Sequence, residues 1–332
     1  MDLITHVLVT YLVTLGVVGF QPQYLAAGAL AGGLPDADAL LYPLGRRFEI
    51  FQHRGITHSF LGVTIIAIAG ALIAPLLLPG SFLLYFAVME MGGLLHIGLD
   101  AFTNFSVPPL LPFSRQRICY DADRAVNFFT LVVSVVSMYV LLGVERNQVA
   151  IQVYWASIAV LGVFFGAYFA IRVATRAWLG RAKSRFGPFD HIVPTENPFT
   201  WFLYGERRAG DRVSLHFARY RTGRGISGPY ALTVDPAAAT RAGPIASEQE
   251  AIDRSYAHRH ARGRFFEDTY LFARAEPTPP GGWQITWYSI EFVNFGRSAS
   301  VQVLFPPDGG APEVHRGFRR VRMPWADRPP AT

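Results

Sequence analysis

Charged residues are absent from long blocks of the first 180 positions. Leu3 to Pro35 carries no Asp, Glu, Lys or Arg, and neither do Gly55 to Met89, Ala125 to Val144 or Asn147 to Ile171. A helix that crosses a bilayer needs about 20 apolar residues. Gln21-Pro22-Gln23 interrupts the first block and Pro79-Gly80-Ser81 the second, and both triplets are turn-like. The pattern predicts six membrane segments, near residues 4–20, 24–34, 59–78, 82–100, 126–144 and 150–173. The second is short and rich in Gly and Ala, which suits a re-entrant segment or one packed inside the bundle.

From Phe186 onward the pattern becomes short alternating runs. Arg212 to Phe217, Tyr230 to Val234, Trp283 to Tyr288 and Ser300 to Phe305 alternate polar with β-branched or aromatic residues between Gly/Pro turns. Period-two alternation of this kind predicts antiparallel strands. The expected architecture is therefore an all-α polytopic membrane helical bundle of about six segments (residues 1–180), followed by a small, mostly antiparallel β domain (residues 181–332).

Composition sharpens this division. The chain of 332 residues is 51% hydrophobic and only 16% charged, too apolar for an ordinary soluble domain. Nine arginines balance nine acidic residues in positions 1–180, so the net charge of +6 belongs to the tail. That basic tail favours an anionic membrane surface or another anionic partner, and no nucleic-acid-binding motif accompanies it, so nucleic acid is not expected. A single cysteine, Cys119, excludes an internal disulfide.

Arginine placement predicts sidedness. Arg46, Arg47 and Arg54 precede the third segment, Arg115, Arg117 and Arg124 lie between the fourth and fifth, and Arg172, Arg176, Arg181, Lys183 and Arg185 close the sixth. The positive-inside bias makes these connections cytoplasmic, which puts both termini and the β domain inside, at the inner membrane of a prokaryote. Asp2 stands where a cleaved signal peptide would carry positive charge, so the first segment is expected to be retained.

With that topology the scattered polar residues collect at one membrane face. His6 lies at the inner end of segment one, Asp36 and Asp38 follow segment two, His53 and His58 precede segment three, and His96 and Asp100 end segment four. The i, i+4 spacing of His96 and Asp100 puts both on one helix face. Pro35 favours a turn for Asp36 and Asp38. Gly55 allows the chain to fold back, and Thr57 is expected to cap segment three, aiming a helix N-terminus at the same place. A lone histidine near an interface is usually a polar anchor, but ionisable groups near hydrocarbon are costly unless paired or metal-bound, and several here converge. Imidazole and carboxylate ligands without thiolate suit a divalent metal, zinc first, with manganese or iron as alternatives.

Weaker signals accompany this cluster. Glu90 lies mid-segment and is expected to face the bundle interior. Asp121 and Asp123 suit either an eighth ligand or a cap for segment five. Arg54, Arg115 and Arg117 suit a phosphate as well as topology. Ser247-x-x-Glu250 predicts a capping box, with His258-Arg259-His260 on the solvated face of the helix it opens.

His6, Pro35-Asp36-Ala37-Asp38, His53-Arg54-Gly55-Ile56-Thr57-His58-Ser59 and His96-x-x-x-Asp100 followed by Thr103 together resemble the LexA-regulated, membrane-bound metal-dependent hydrolase family. The resemblance covers residues 1–180, and Pro194-x-x-Asn197-Pro198-x-x-Trp201 looks like the segment that follows the membrane core in longer members. That family is distantly similar to zinc phospholipase C and the fungal zinc nucleases, which hold zinc through His-x-x-x-Asp on helices and cleave phosphoesters. The resemblance implies a hydrolase with His6, Asp36, Asp38, His53, His58, His96 and Asp100 near the metals. The soluble relatives also use a free mature N-terminus as a ligand; none is evident from the sequence, so a three-metal site is not expected.

The resulting expectation is a membrane-bound metal-dependent hydrolase that cleaves a phosphoester, with phospholipid as one substrate class, at the cytoplasmic face. Metal would lower the pKa of a bound water to near neutrality, and the hydroxide would attack phosphorus. Asp36 or Asp38 would bridge metals or take the proton, and Arg54 with the following helix start would steady phosphoryl oxygens. The rival classes are a metal or proton transporter, motivated by Glu90, and a non-catalytic membrane scaffold with a structural metal. His-Glu-x-x-His, Gly-x-Ser-x-Gly and His-x-x-His-His motifs are all absent.

Overall fold

A computed structural model describes residues 1–41, 54–104, 106–146, 151–258, 271–279, 281–289 and 297–321. The chain divides into two compact units, Met1–Ala174 and Thr175–Thr332. The expected boundary at residue 180 and the observed one both fall within a single long helix.

The first unit is helical. Its elements are α1 (Leu3–Val18), α2 (Pro22–Gly33), α3 (Phe60–Leu77), α4 (Phe82–Phe102), α5 (Phe128–Arg146) and α6 (Ile151–Phe186), the last continuing into the second unit. Each of the six apolar stretches thus lies on a helix. Three helices, Phe60–Leu77, Phe82–Phe102 and Gln152–Phe186, are long and apolar enough to cross a membrane, while Leu3–Val18 and Phe128–Leu141 are shorter. At 1.5 Å per residue the 12 residues of α2 extend only about 18 Å, against a hydrocarbon core of about 30 Å. Of the six expected crossings, three therefore have helices of spanning length among the described residues. Leu76, Leu77, Leu83, Val160 and Val163 are exposed on these helices, as lipid-facing side chains are.

Capping and close approach fix the bundle. The Asp2 carboxylate accepts the Thr5 N–H at 2.9 Å and opens α1; such a cap contributes about 1 kcal/mol. α2 packs closely on α1 because Gly32 has no side chain: a Cβ there would lie 2.2 Å from Thr10 Oγ1. On its other side α2 meets α4 at Gly92, where a Cβ would lie 2.6 Å from the Gly28 carbonyl oxygen.

A buried polar network joins the loop after α4 to α6. Asp123, Asn127 and Arg172 are all fully buried. Arg172 Nη2 donates to Asp123 Oδ1 at 3.0 Å, and the Tyr168 hydroxyl donates to Asp123 Oδ2 at 2.8 Å. Asp123 is therefore one half of a buried ion pair and neither a helix cap nor a member of the imidazole–carboxylate cluster. Arg172, expected as a topological marker, is its partner.

The second unit holds two four-stranded antiparallel sheets in sequence order. The first contains β1 (His191–Pro194), β2 (Thr200–Ala209), β3 (Arg212–Arg221) and β4 (Gly225–Val234); the second contains β5 (Leu271–Thr278), β6 (Gly282–Ser289), β7 (Arg297–Phe305) and β8 (Glu313–Arg320). Their inner faces share one core, where Phe217 stacks on Phe272 with ring centroids 5.3 Å apart. A short helix, α7 (Glu248–Ser255), adds Ala251 and Ile252 to that core. Half of its expected capping box is formed: Ser247 Oγ accepts the Glu250 N–H, whereas Glu250 Oε2 accepts the N–H of Ala246, one residue before the cap. All four alternating runs lie within strands, namely β3, β4, β6 and β7.

Candidate metal centre

The ends of four elements meet in the first unit. His6 lies in the first turns of α1, Asp36 and Asp38 on a 3-10 turn (Leu34–Leu41) after α2, His58 on a short 3-10 turn (Ile56–His58) before α3, and His96 and Asp100 near the end of α4. The expected irregular turn at Asp36 and Asp38 is a 3-10 helix, entered through Pro35, whose missing N–H costs nothing in a first turn. Asp36, His58, His96 and Asp100 each offer one ligand atom, and these atoms lie within 4.8 Å of one another. His58 Nε2 is 3.2 Å from His96 Nε2, 3.5 Å from Asp36 Oδ1 and 3.5 Å from Asp100 Oδ2.

His6 adjoins this group without being one of the four. Its ring stacks on that of His96 with centroids 3.9 Å apart, and its Nε2 lies 3.2 Å from Asp100 Oδ1. His6 Nδ1 is buried and has no hydrogen-bond partner among the described residues. The α-amino nitrogen of Met1 is also buried against Asp100 Oδ1, a contact sequence reading did not foresee. His6, His58, His96 and Asp100 are fully buried, whereas the Asp36 side chain retains 17% exposure and forms the accessible edge.

The surrounding contacts orient the ligands. His96 Nδ1 lies 2.7 Å from the Gly32 carbonyl and donates to it, which leaves the Nε2 lone pair facing the cluster. Asp38 is nearly as buried as the histidines but faces away from the four-residue group. Its Oδ2 accepts the Arg54 N–H at 3.0 Å and the Thr57 hydroxyl at 2.8 Å, and lies 3.4 Å from His58 Nδ1. Asp38 thus holds the back of the His58 ring. Thr57 serves Asp38 and does not cap α3; Ser59 does, its Oγ accepting the Gly62 N–H. The left-handed backbone of this turn falls on Arg54, at φ 61°, and not on Gly55, at φ −89°. His53 lies outside the described residues.

Two arginines border the cluster. Arg54 Nη2 is 3.1 Å from Asp100 Oδ2, and Arg117 Nη2 donates to the Arg54 carbonyl at 3.3 Å. Burial and the neighbouring Arg54 charge lower the Arg117 pKa, the mark of two cations held close. Burial also opposes ionisation of Asp36, but the hydrogen bond from His58 and the nearby His96 and His6 outweigh it and hold the carboxyl below its ordinary value. For His58, burial is outweighed by hydrogen bonds to Asp36 and Asp38, and its pKa rises. These imidazoles and carboxylates thus form an ion-paired knot.

The donor set fits a divalent cation. Among the described residues Asp100 Oδ2 is buried with no hydrogen bond of its own and has Arg54 as its ion-pair partner, although buried carboxylate oxygens are normally satisfied. Two imidazoles with two carboxylates suit zinc, manganese or iron. Glu90 is separate: its Oε1 accepts from Thr64 Oγ1 at 2.9 Å, and its Oε2 has no partner among the described residues. It lines an apolar hollow of about 690 Å³ with Leu83, Phe86, Met91 and Leu94.

Fold and site together define an integral membrane protein whose helix ends enclose a buried imidazole–carboxylate cluster. Residues 1–179 match the family described as YdjM inner membrane protein, and the chain belongs to that family. No curated protein and no solved structure matches it.

Proposed function

We propose that this protein is a membrane-bound metal-dependent hydrolase of phosphoesters, with a lipid headgroup as the leading substrate class, and that its site opens at the cytoplasmic face. The observation that carries this reading is the convergence of Asp36, His58, His96 and Asp100 beside Arg54. The family name gives an inner membrane location and no reaction, so the chemistry rests on the site alone.

A divalent ion held by Asp36, His58, His96 and Asp100, zinc first, would supply an acidified water and a Lewis acid for a phosphoryl oxygen. The chain's residues divide the remaining work. His96 and His58 are pre-oriented, by Gly32 on one side and by Asp38 with Thr57 on the other, so little order is lost when the cation binds. Asp36, the most accessible carboxylate, is placed to take a proton from the attacking water. Arg54 and Arg117, two close cations beside the cluster, favour an anionic substrate and can steady phosphoryl oxygens. Since both termini and the arginine-rich connections share that face under the positive-inside bias, the site would meet cytoplasmic-leaflet headgroups.

The test is hydrolysis by the full-length protein, reconstituted with lipid and supplied with zinc, manganese or iron, on phospholipids and on a chromogenic phosphodiester. Metal-dependent turnover, lost in Asp36→Asn while metal is retained, is expected. Metal-loaded protein without turnover on any ester would support the scaffold alternative instead. A transport reading rests on Glu90, whose Oε2 lacks a partner among the described residues beside an apolar hollow. Ion flux in proteoliposomes that requires Glu90 and proceeds without hydrolysis would favour it.

A further inference from the structure

The second unit carries a basic and aromatic edge at one end of its first sheet. The C-terminal part of α6 packs on that sheet through Leu179, which is buried with Trp201, Leu203 and Tyr220. The rings of Trp178 and Tyr220 lie 5.5 Å apart. Tyr220 pairs with Trp201 next to the β3–β4 turn, and Trp178 and Phe186, the latter at 5.8 Å, both pack on its ring at that end of the sheet. The other end, the Ala209–Arg212 hairpin, lies beyond Gly205, which abuts Pro188 just after α6 finishes.

That turn is shaped to present charge. Gly223 and Gly225 take positive φ values of 78° and 75°, and the Arg224 N–H closes onto the Arg221 carbonyl at 2.9 Å. The Thr222 N–H donates to the Phe199 carbonyl at 2.8 Å and ties Phe199 to the same edge. Phe199 and Trp178 are half exposed, at 49% and 47%. No carboxylate pairs with Arg221 or Arg224 among the described residues, although Arg207, Arg208 and Arg241 elsewhere in the unit all have acidic partners.

The helix that enters this unit is itself a candidate membrane span. The apolar helix Gln152–Phe186 is 35 residues long, about 52 Å, and exceeds a hydrocarbon core of about 30 Å. Its final turns, with Trp178, Arg181, Lys183 and Arg185, therefore emerge from the bilayer. Tryptophan concentrates at that interface, and basic side chains are drawn to anionic leaflets.

We propose that Arg221, Arg224 and Phe199, beside Trp178, form a docking edge for anionic lipid headgroups on the membrane from which α6 emerges. The two guanidinium groups bind headgroup phosphates as planar forks, and the two rings bury their apolar bodies at the headgroup level. The edge is a binding surface of the β domain, independent of the chemistry at the metal cluster.

The test uses the full-length protein in a Cys119→Ser background, with Thr222→Cys labelled by an environment-sensitive dye. The protein is reconstituted into phosphatidylcholine vesicles with or without phosphatidylglycerol, and quenching by headgroup spin-labelled lipid is read. Quenching about twofold or more stronger in the anionic vesicles, weakened by salt, is expected. Arg221→Ala with Arg224→Ala should remove the difference at unchanged circular dichroism, and Arg208→Ala at the opposite hairpin should leave it intact. Equal quenching in both vesicle types, a difference that survives the double substitution, or equal loss with Arg208→Ala would overturn the proposal. A dye that stays in water in every vesicle would also overturn it and leave the edge to a protein or nucleic-acid partner.

Discussion

His96 Nδ1 lies 2.7 Å from the carbonyl oxygen of Gly32, so a backbone group of α2 sets the orientation of a ring carried by α4. The same glycine lets α2 approach Thr10 of α1, whose hydroxyl bonds the His6 carbonyl at 2.8 Å. One residue without a side chain thus holds both histidine-bearing helices in place. Gly32→Ala is expected to lower metal retention about tenfold or more, because its Cβ would meet Thr10 Oγ1 at 2.2 Å and push α2 and its carbonyl away. A helix-propensity gain of about 1 kcal/mol works in the opposite direction and is smaller than such a clash. Gly98→Ala, with no described residue within 4 Å of the added carbon, should retain metal. Metal content and thermal unfolding of the two variants side by side check this.

Thr57 and Ser59 separate orientation from helix capping. Thr57→Val removes a donor to Asp38 Oδ2 and loosens the back of the His58 ring, so metal affinity should fall about 10- to 100-fold with little change in stability. Thr57→Ser should restore it. Ser59→Ala removes the α3 cap and should cost about 1 kcal/mol of stability while leaving metal affinity near wild type. Zinc titration and unfolding of all three variants distinguish the two roles.

The Asp123–Arg172 pair is expected to be structural and costly to break singly. Arg172→Leu leaves the Asp123 carboxylate buried with, among the described residues, the Tyr168 and Asn127 donors and the Arg124 N–H, and should destabilise by about 3 to 5 kcal/mol. Adding Asp123→Asn should recover much of that loss, because no uncompensated charge then remains. Thermal unfolding in detergent of the single and double variants checks the sign of the coupling.

Asp36 and Asp100 should respond differently to neutralisation. Asp36→Asn keeps a coordinating oxygen at the accessible edge and should abolish turnover while metal is retained. Asp100→Asn weakens the carboxylate that faces His6, His58, His96 and Arg54 together and should release the metal itself. Metal content and hydrolysis measured on the same samples separate the two outcomes.

Much of this arrangement was legible because hydrocarbon tolerates few ionisable groups. Four charge-free blocks, two of them cut by turn-like triplets, marked the places of the six helices, and His6, Asp36, His58, His96 and Asp100 stood out near their ends. Strict alternation in Val213, Leu215 and Phe217 likewise marked β3, whose inner face they form. What escaped depends on long-range partners or on competition between neighbours. Asp123 and Arg172 lie 49 residues apart, and each alone has an ordinary loop or topology role. Thr57 and Ser59 both suit a helix cap, and only the position of Asp38 decides between them. The 12 residues of α2, by contrast, match the short second segment expected near residues 24–34.

The central claim is that Asp36, His58, His96 and Asp100 hold a metal. The most direct measurement is elemental analysis of the full-length protein, purified from membranes and challenged with zinc, manganese and iron, beside a His96→Ala, Asp100→Ala double variant of matched circular dichroism. About one or more transition-metal ions per chain in the wild type, lost in the double variant, is the predicted result. A wild-type protein that neither carries nor takes up metal, or a double variant that retains as much as the wild type, would contradict it.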